Sequence, residues 1–236
     1  MTTSKNISSF YLCIDMGDLI YSLLFSKILG VETLFIDGGC GTVKFNWKSA
    51  EFLLPLIKKQ PYIKNVELFA NQKYDYNYGL HPNGIPVVVG TNLTEYHASK
   101  FDLQNNPLIH DPWLIADTTN HPIIRKKEII INRTPRYRGN NEFYKGLLQE
   151  FDKEHLLFLG LPSEYELFCK EFQTQIDYIE TPDILDLATI INSVPTFVGN
   201  QSLICALATG LGRRMFIEHG RSAANYLFSR NIIHYF

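Results

Sequence analysis

The chain reads as an α/β protein made of two halves, each a parallel sheet covered by helices. Three observations predict this. Short apolar runs alternate with helix-period patterns, and strand–helix–strand order implies crossover connections between parallel strands. The rhythm occurs twice, on either side of a stretch from Asn71 to about Pro122 that is rich in Asn, Tyr, Pro and His. Finally, 236 residues that are 45% hydrophobic and 13% aromatic supply a real core and exclude a disordered chain.

In the first half, Phe10 to Ile14 has the apolar character of a buried strand. A helix follows from Gly17-Asp18 to about Leu29, with Gly30 as its stop. Val31 to Ile36 predicts a second strand, ending in the turn Asp37-Gly-Gly-Cys-Gly41. A helix over Lys48–Lys59, with Pro61 beyond it, leads to a strand near Val66–Phe69. In the middle stretch only Pro86 to Gly90 looks regular, and a loop this long is usually functional.

The second half restarts with a strand at Glu128–Ile131, a helix over Glu142–Phe151 and a strand at Leu156–Leu159. Ser163 and Glu166 have capping-box spacing for a helix to Phe172, and Ile176–Ile179 suits a short strand. Thr181-Pro182-Asp183 predicts the start of another helix, with Thr as its cap and Pro at the first helical position. Thr196–Val198, a turn, a helix over Leu203–Leu211 and a strand at Arg214–Glu218 complete the pattern. We divide the chain into domains 1–122 and 123–236.

Composition removes several function classes. Lys plus Arg number 22 and Asp plus Glu 24, a net charge of −2, so no nucleic-acid partner is expected. No run approaches the ~18 apolar residues of a membrane span, and Asp15 and Asp18 close the first apolar run too early for a signal peptide. A cytoplasmic protein is expected, for which the sequons at Asn6, Asn92, Asn132 and Asn200 carry no meaning. Cys13, Cys40, Cys169 and Cys205 form no C-x-x-C pair, which disfavours a zinc site or a disulfide framework. The seven histidines lack ligand spacing, so neither metal nor cofactor is expected.

Ligands of open parallel sheets bind beyond the carboxyl ends of strands. Three such turns are chemically distinctive. In Asp15-Met16-Gly17-Asp18, Gly17 permits a tight backbone and Asp18 is either a helix cap or a general base. In the loop 133–138, Arg133, Arg136 and Arg138 either hold a diphosphate or form a solvated charged loop. Gly199-Asn200-Gln201-Ser202 precedes a helix whose free N–H groups favour an anion, or is an ordinary capped turn. The turn at Asp37–Gly41 fits neither phosphate-loop nor dinucleotide glycine spacing, and Cys205 reads as core packing.

Met16-Gly17-Asp18-Leu19-Ile20 after a first strand resembles the opening of the ADP-heptose:lipopolysaccharide heptosyltransferase family. The helix, strand and Gly199–Ser202 turn within Ile184–Leu211 resemble that family's donor-binding half. The chain departs from the family at Asn200-Gln201-Ser202, in place of Asp-Ser/Thr-Gly, and at Tyr21 and Cys205, in place of histidines. The resemblance implies a compact GT-B-like fold, two Rossmann-like domains facing a cleft. It implies inverting, metal-independent sugar transfer from a nucleotide-diphosphate sugar to a glycan or other hydroxyl acceptor, with Asp18 as base. Gly17, the three arginines and Gly199–Ser202 would form the donor and phosphate site. The alternative is a noncatalytic nucleotide- or glycan-binding module of the same fold. Pocket walls are expected from Gly38 to Trp47 and from the loops between Asn71 and Pro122, where Tyr74, Tyr76, Tyr78, His97 and Trp113 either stack on a ligand or pack loops, with packing favoured. An oligomer is compatible with the sequence.

Overall fold

The computed structural model describes residues 7–39, 46–78, 98–139, 141–218 and 232–236. The expectations on Asn6, Cys40, Gly41, His81, Pro86–Gly90, Asn92, His97 and His219 lie outside these residues, as does most of the Gly38–Trp47 loop.

The first half contains β1 (Ser9–Leu12), α1 (Met16–Leu29), β2 (Thr33–Ile36), α2 (Trp47–Lys58), β3 (Asn65–Leu68) and β4 (Tyr76–Asn77). Its four strands lie in the order β3-β2-β1-β4, and every pairing is parallel. Gly30 ends α1 as expected, in the left-handed region at φ 70°, with its N–H bonded to the Ser26 carbonyl.

The second half contains β5 (Ile129–Asn132), α3 (Asn141–Glu150), β6 (Leu156–Leu159), α4 (Pro162–Phe172), β7 (Asp177–Ile179), α5 (Ile184–Ser193), β8 (Thr196–Gly199), α6 (Leu203–Gly210), β9 (Arg214–Ile217) and β10 (Ile233–Tyr235). The sheet runs β10-β9-β8-β5-β6-β7, again parallel throughout. The chain therefore winds one way from β5 to β7 and the other way from β8 to β10, leaving a switch point between β5 and β8. A second switch lies between β1 and β4.

Two helix starts differ from expectation. Asp183, not Thr181, caps α5, accepting from the Leu185 and Asp186 N–H groups at 2.8 Å. α4 begins at Pro162, so Ser163 lies inside it, and it is Glu164 that reaches back to the Leu161 N–H at 3.0 Å. In both cases proline sits where its missing N–H is harmless: Asp183, the residue after it, caps α5, whereas in α4 Leu161 before it holds the cap position and Glu164 satisfies that residue's N–H.

The halves share one apolar core. It extends from Phe10, Leu19 and Leu23 through α6 to Ile130 and Phe197. The described end of the middle stretch, around Trp113 and Ile115, fastens this core. Trp113 is 1% exposed, its Nε1 donates to the Ile20 carbonyl at 2.9 Å, and its backbone N–H donates to the Gly210 carbonyl at 2.9 Å. Gln60 clamps the same segment through the Ile115 N–H and carbonyl. Tyr78 is likewise buried, whereas Tyr74 is exposed and stacks on Tyr11 at 4.9 Å.

Among the described residues no helix is long and apolar enough to cross a membrane, and no three metal-ligating side chains are grouped. Cys169 and Cys205 are free thiols. Cys13 is disulfide-bonded. This corrects the expectation drawn from cysteine spacing, because pairing depends on how close the fold brings two Cα atoms, not on their separation along the chain.

Candidate functional site

The carboxyl ends of β1 and β4 in one sheet, and of β5 and β8 in the other, flank the two switch points, where an open parallel sheet leaves a crevice. α1 and α6 both start there. A Cβ placed on Gly17 would lie 3.8 Å from the Ser202 carbonyl oxygen and 3.9 Å from the Ala206 Cβ. The two helix N-termini are thus in contact, and their free N–H groups give this end of the molecule a positive field. Those distances are ordinary contacts, so close packing does not demand glycine at position 17.

Between the helix starts lies a pocket. α1 contributes Gly17, Asp18 and Tyr21, and Asp15 just before it also lines the pocket. The second half contributes Arg136 and Tyr137 from the loop after β5, and Gln201, Ser202 and Leu203 from the start of α6. Asp18 is the third helical residue, half-buried, so the cap position belongs to Asp15. Asp15 makes no capping bond, and its buried Oδ1 has no hydrogen-bond partner among the described residues. Burial, followed by the nearby Cys205, pushes the Tyr21 phenol well above its ordinary pKa, so Tyr21 stays neutral beside Asp18.

Ser202 caps α6: its Oγ accepts from the Cys205 N–H at 3.1 Å and donates to Asn132 Oδ1 at 2.7 Å. Asn132 is itself held by donation to the Leu159 carbonyl at 2.8 Å.

The three arginines have separate fates. Arg133 is buried, 1% exposed, and points away from the pocket. Its Nε and Nη2 donate to the two oxygens of the buried Glu218 at 2.8 and 2.7 Å, and its Nη1 lies 2.9 Å from Glu171. Its guanidinium carbon sits 4.7 Å over the Tyr144 ring. Burial opposes its charge, but the Glu218 hydrogen bonds and charge outweigh this and raise its pKa further. Arg138 pairs with Glu171 at 2.9 Å and braces the Thr134 carbonyl. Only Arg136 is both exposed and at the pocket. Among the described residues its side chain has no hydrogen-bond or ion-pair partner, its guanidinium carbon lying 5.5 Å over the Tyr137 ring.

Gly199 and Asn200 also turn away from ligand space. A Cβ on Gly199 would fall 2.2 Å from the Asn132 carbonyl oxygen, so glycine there lets β8 close on β5. Asn200, fully buried, spends its whole side chain on the arginine loop. Its Oδ1 accepts from the Thr134 N–H (2.9 Å) and hydroxyl (3.1 Å), while its Nδ2 donates to the Thr134 (3.0 Å) and Arg136 (2.7 Å) carbonyls.

Of the residues singled out from sequence, Gly17, Asp18, Arg136, Gln201 and Ser202 come together at the pocket, whereas Arg133, Arg138, Gly199 and Asn200 support it from behind. Sequence reasoning missed Asn132 and Glu218. A charged residue directly after an apolar strand was the available signal for Glu218.

Solved glycosyltransferases share this architecture. The glycosyl transferase family 9 protein of Veillonella parvula DSM 2008 matches at TM-score 0.63 and 14% identity, over 98% of this chain and 85% of that one. E. coli heptosyltransferase WaaC with ADP matches at TM-score 0.64 and 10% identity, over 96% and 92%. The iron-containing dodecameric glycosyltransferase TibC from enterotoxigenic E. coli H10407 matches at TM-score 0.57 and 11% identity, over 96% of this chain and 63% of TibC. No protein-family model and no curated protein sequence matches. At these identities the likeness is one of fold, and the chain has the α/β fold of glycosyl transferase family 9 and heptosyltransferase structures, as its two short motifs suggest.

Proposed function

We propose that the protein is an inverting glycosyltransferase that moves a sugar from a nucleotide-diphosphate sugar to a hydroxyl acceptor. The observation that carries this reading is the pocket itself. A carboxylate on one helix start, Asp18, faces an uncommitted cation, Arg136, and the N-terminus of a second helix at Gln201–Ser202. In this reading residues 1–122 receive the acceptor and 123–236 the donor.

Asp18 takes the acceptor's hydroxyl proton as the oxygen bonds to the anomeric carbon. The anomeric carbon–oxygen bond to the diphosphate breaks from the opposite face, and the diphosphate leaves with the electron pair. Arg136 and the N–H groups at the start of α6 stabilise that developing charge, and preorganised donors of this kind are worth about 3 kcal/mol each. With that positive charge in place, departure of the diphosphate does not call for a divalent ion. Arg133 and Arg138 hold the loop that presents Arg136.

The E. coli WaaC structure contains ADP and a TibC structure contains ADP-D-β-D-heptose, so ADP-sugars head the donor panel. The test is a thermal-shift screen of ADP-, UDP-, GDP- and CDP-sugars, followed by mass spectrometry of the products with hydroxyl acceptors. Asp18→Asn is expected to bind the donor normally and to lose transfer by at least about 100-fold. Unchanged turnover in that variant sinks the assignment of the base. Donor binding with no transfer by the wild type identifies a binding module instead.

A further inference from the structure

We infer that Asn200 is the positioning residue for the diphosphate site: its carboxamide fixes the Arg136–Tyr137 peptide and so aims the Arg136 guanidinium into the pocket. The inference rests on the proposed donor site and assigns the control of its cation.

Tyr137 is held at φ 58°, in the left-handed region that a side chain makes unfavourable. Such a backbone persists only where its surroundings over-determine it, and it is concentrated at functional sites. Here the fixing group is identifiable. The Arg136 carbonyl, which belongs to the peptide joining Arg136 to Tyr137, accepts from Asn200 Nδ2 at 2.7 Å and lies 3.3 Å from the Thr134 hydroxyl, whose single proton is shared with Asn200 Oδ1. Thr134 is in turn gripped through its N–H, hydroxyl and carbonyl by the same Asn200 side chain. Further along, the Gly139 N–H donates to Glu218 Oε1 at 2.6 Å, closing the loop at its other end. Arg136, by contrast, has no side-chain hydrogen bond of its own among the described residues. Its direction is therefore set through the backbone, and Asn200 lies only one and two residues before the pocket-lining Gln201 and Ser202. One buried amide thus couples the two phosphate-facing elements, the arginine loop and the start of α6.

The amide is required for its donors. Two of its four bonds are donations from Nδ2 to carbonyl oxygens, and a carboxylate of the same shape would place acceptor against acceptor. Asn200→Asp is consequently a nearly isosteric change that breaks the grip on Arg136, and Thr134→Val is a gentler one that removes a single hydroxyl.

The experiment measures affinity for the tightest binder among ADP, UDP, GDP and CDP, and for its parent nucleoside, in the full-length protein. The variants are Arg136→Ala, Asn200→Asp, Thr134→Val and the Arg136→Ala/Asn200→Asp double variant, with circular dichroism and urea midpoints as folding controls. Arg136→Ala and Asn200→Asp are each expected to weaken the diphosphate about tenfold, Thr134→Val less, with nucleoside affinity unchanged in all. The double variant is expected to be no weaker than Arg136→Ala alone. Equal losses for nucleoside and diphosphate, or losses that multiply in the double variant, overturn the inference. Should Asn200→Asp fail to fold, wild-type diphosphate affinity in Thr134→Val overturns it as well. If Arg136→Ala itself binds the diphosphate normally, the proposed donor site falls and the inference with it.

Discussion

Arg133 and Glu218, 85 residues apart in sequence, meet in a two-point ion pair sealed behind the arginine loop, at 2.8 and 2.7 Å. The pair ties the end of β5 to the end of β9, and its burial sets its energetic character. Removing one partner strands a charge in a dry site, at a cost of about 3–5 kcal/mol. Arg133→Met and Glu218→Gln are each expected to lower unfolding free energy by this order, and Arg133→Met/Glu218→Leu to recover much of it. Urea denaturation decides the matter: single variants within about 1 kcal/mol of wild type would show that water reaches the pair.

Arg136 predicts the opposite pattern. Its side chain is exposed and has no hydrogen-bond or ion-pair partner among the described residues, so Arg136→Ala is expected to unfold within about 0.5 kcal/mol of wild type. Nucleoside diphosphate binding by the wild type is expected to weaken with salt, and the variant's to do so less steeply. Identical salt slopes in isothermal titration would remove Arg136 from the anion site.

Gly199 is constrained by packing. An added Cβ would meet the Asn132 carbonyl oxygen at 2.2 Å and the Phe197 ring at 2.6 Å, and a backbone oxygen in a sheet cannot simply rotate away. Gly199→Ala is expected to cost about 3 kcal/mol, the upper range for overpacking, and to weaken diphosphate binding by separating β8 from β5. A thermal midpoint equal to wild type would show that the strands can part at no cost.

These contrasts explain what the sequence could and could not reveal. Ile129–Ile131 and Leu156–Leu159 were legible as strands because both faces are buried, which forces an unbroken apolar run. β4 and β10 were not: Tyr76-Asn77 and Ile233–Tyr235 carry little pattern, and pairing with β1 and β9 makes them strands. Asp18 and Gln201–Ser202 were legible because the rhythm of the chain puts them after strands and before helices. The division of labour among the arginines was not, since it depends on Glu218 and Glu171, whose approach to Arg133 is a product of the finished fold. Asn200 read as a phosphate contact for the same reason, because its true partner, Thr134, is 66 residues away.

Cys205 gives the chain a predictable alkaline weakness. It lies on the buried side of α6, and burial is the main cause pushing its thiol from the ordinary 9.0 up to about 12, against smaller opposing hydrogen bonds from the Ser202 backbone, Thr209 and Tyr21. In the unfolded chain the thiol ionises near its ordinary value, while in the folded chain it keeps its proton until about 12. The unfolded state therefore loses its proton first as pH rises. The contribution of Cys205 to stability is full below about 9, declines between 9 and 12, and is constant above. Cys205→Ala is expected to be less stable than wild type at pH 8, because it empties packed space, yet to lose stability more slowly between pH 9 and pH 11. Burial of Tyr21, Tyr78 and Tyr144 shifts their phenols the same way, so both proteins decline and the difference in slope is the readout. Urea midpoints at pH 8, 9.5 and 11 measure it, and parallel curves for the two proteins would mean that the folded thiol ionises as readily as the unfolded one.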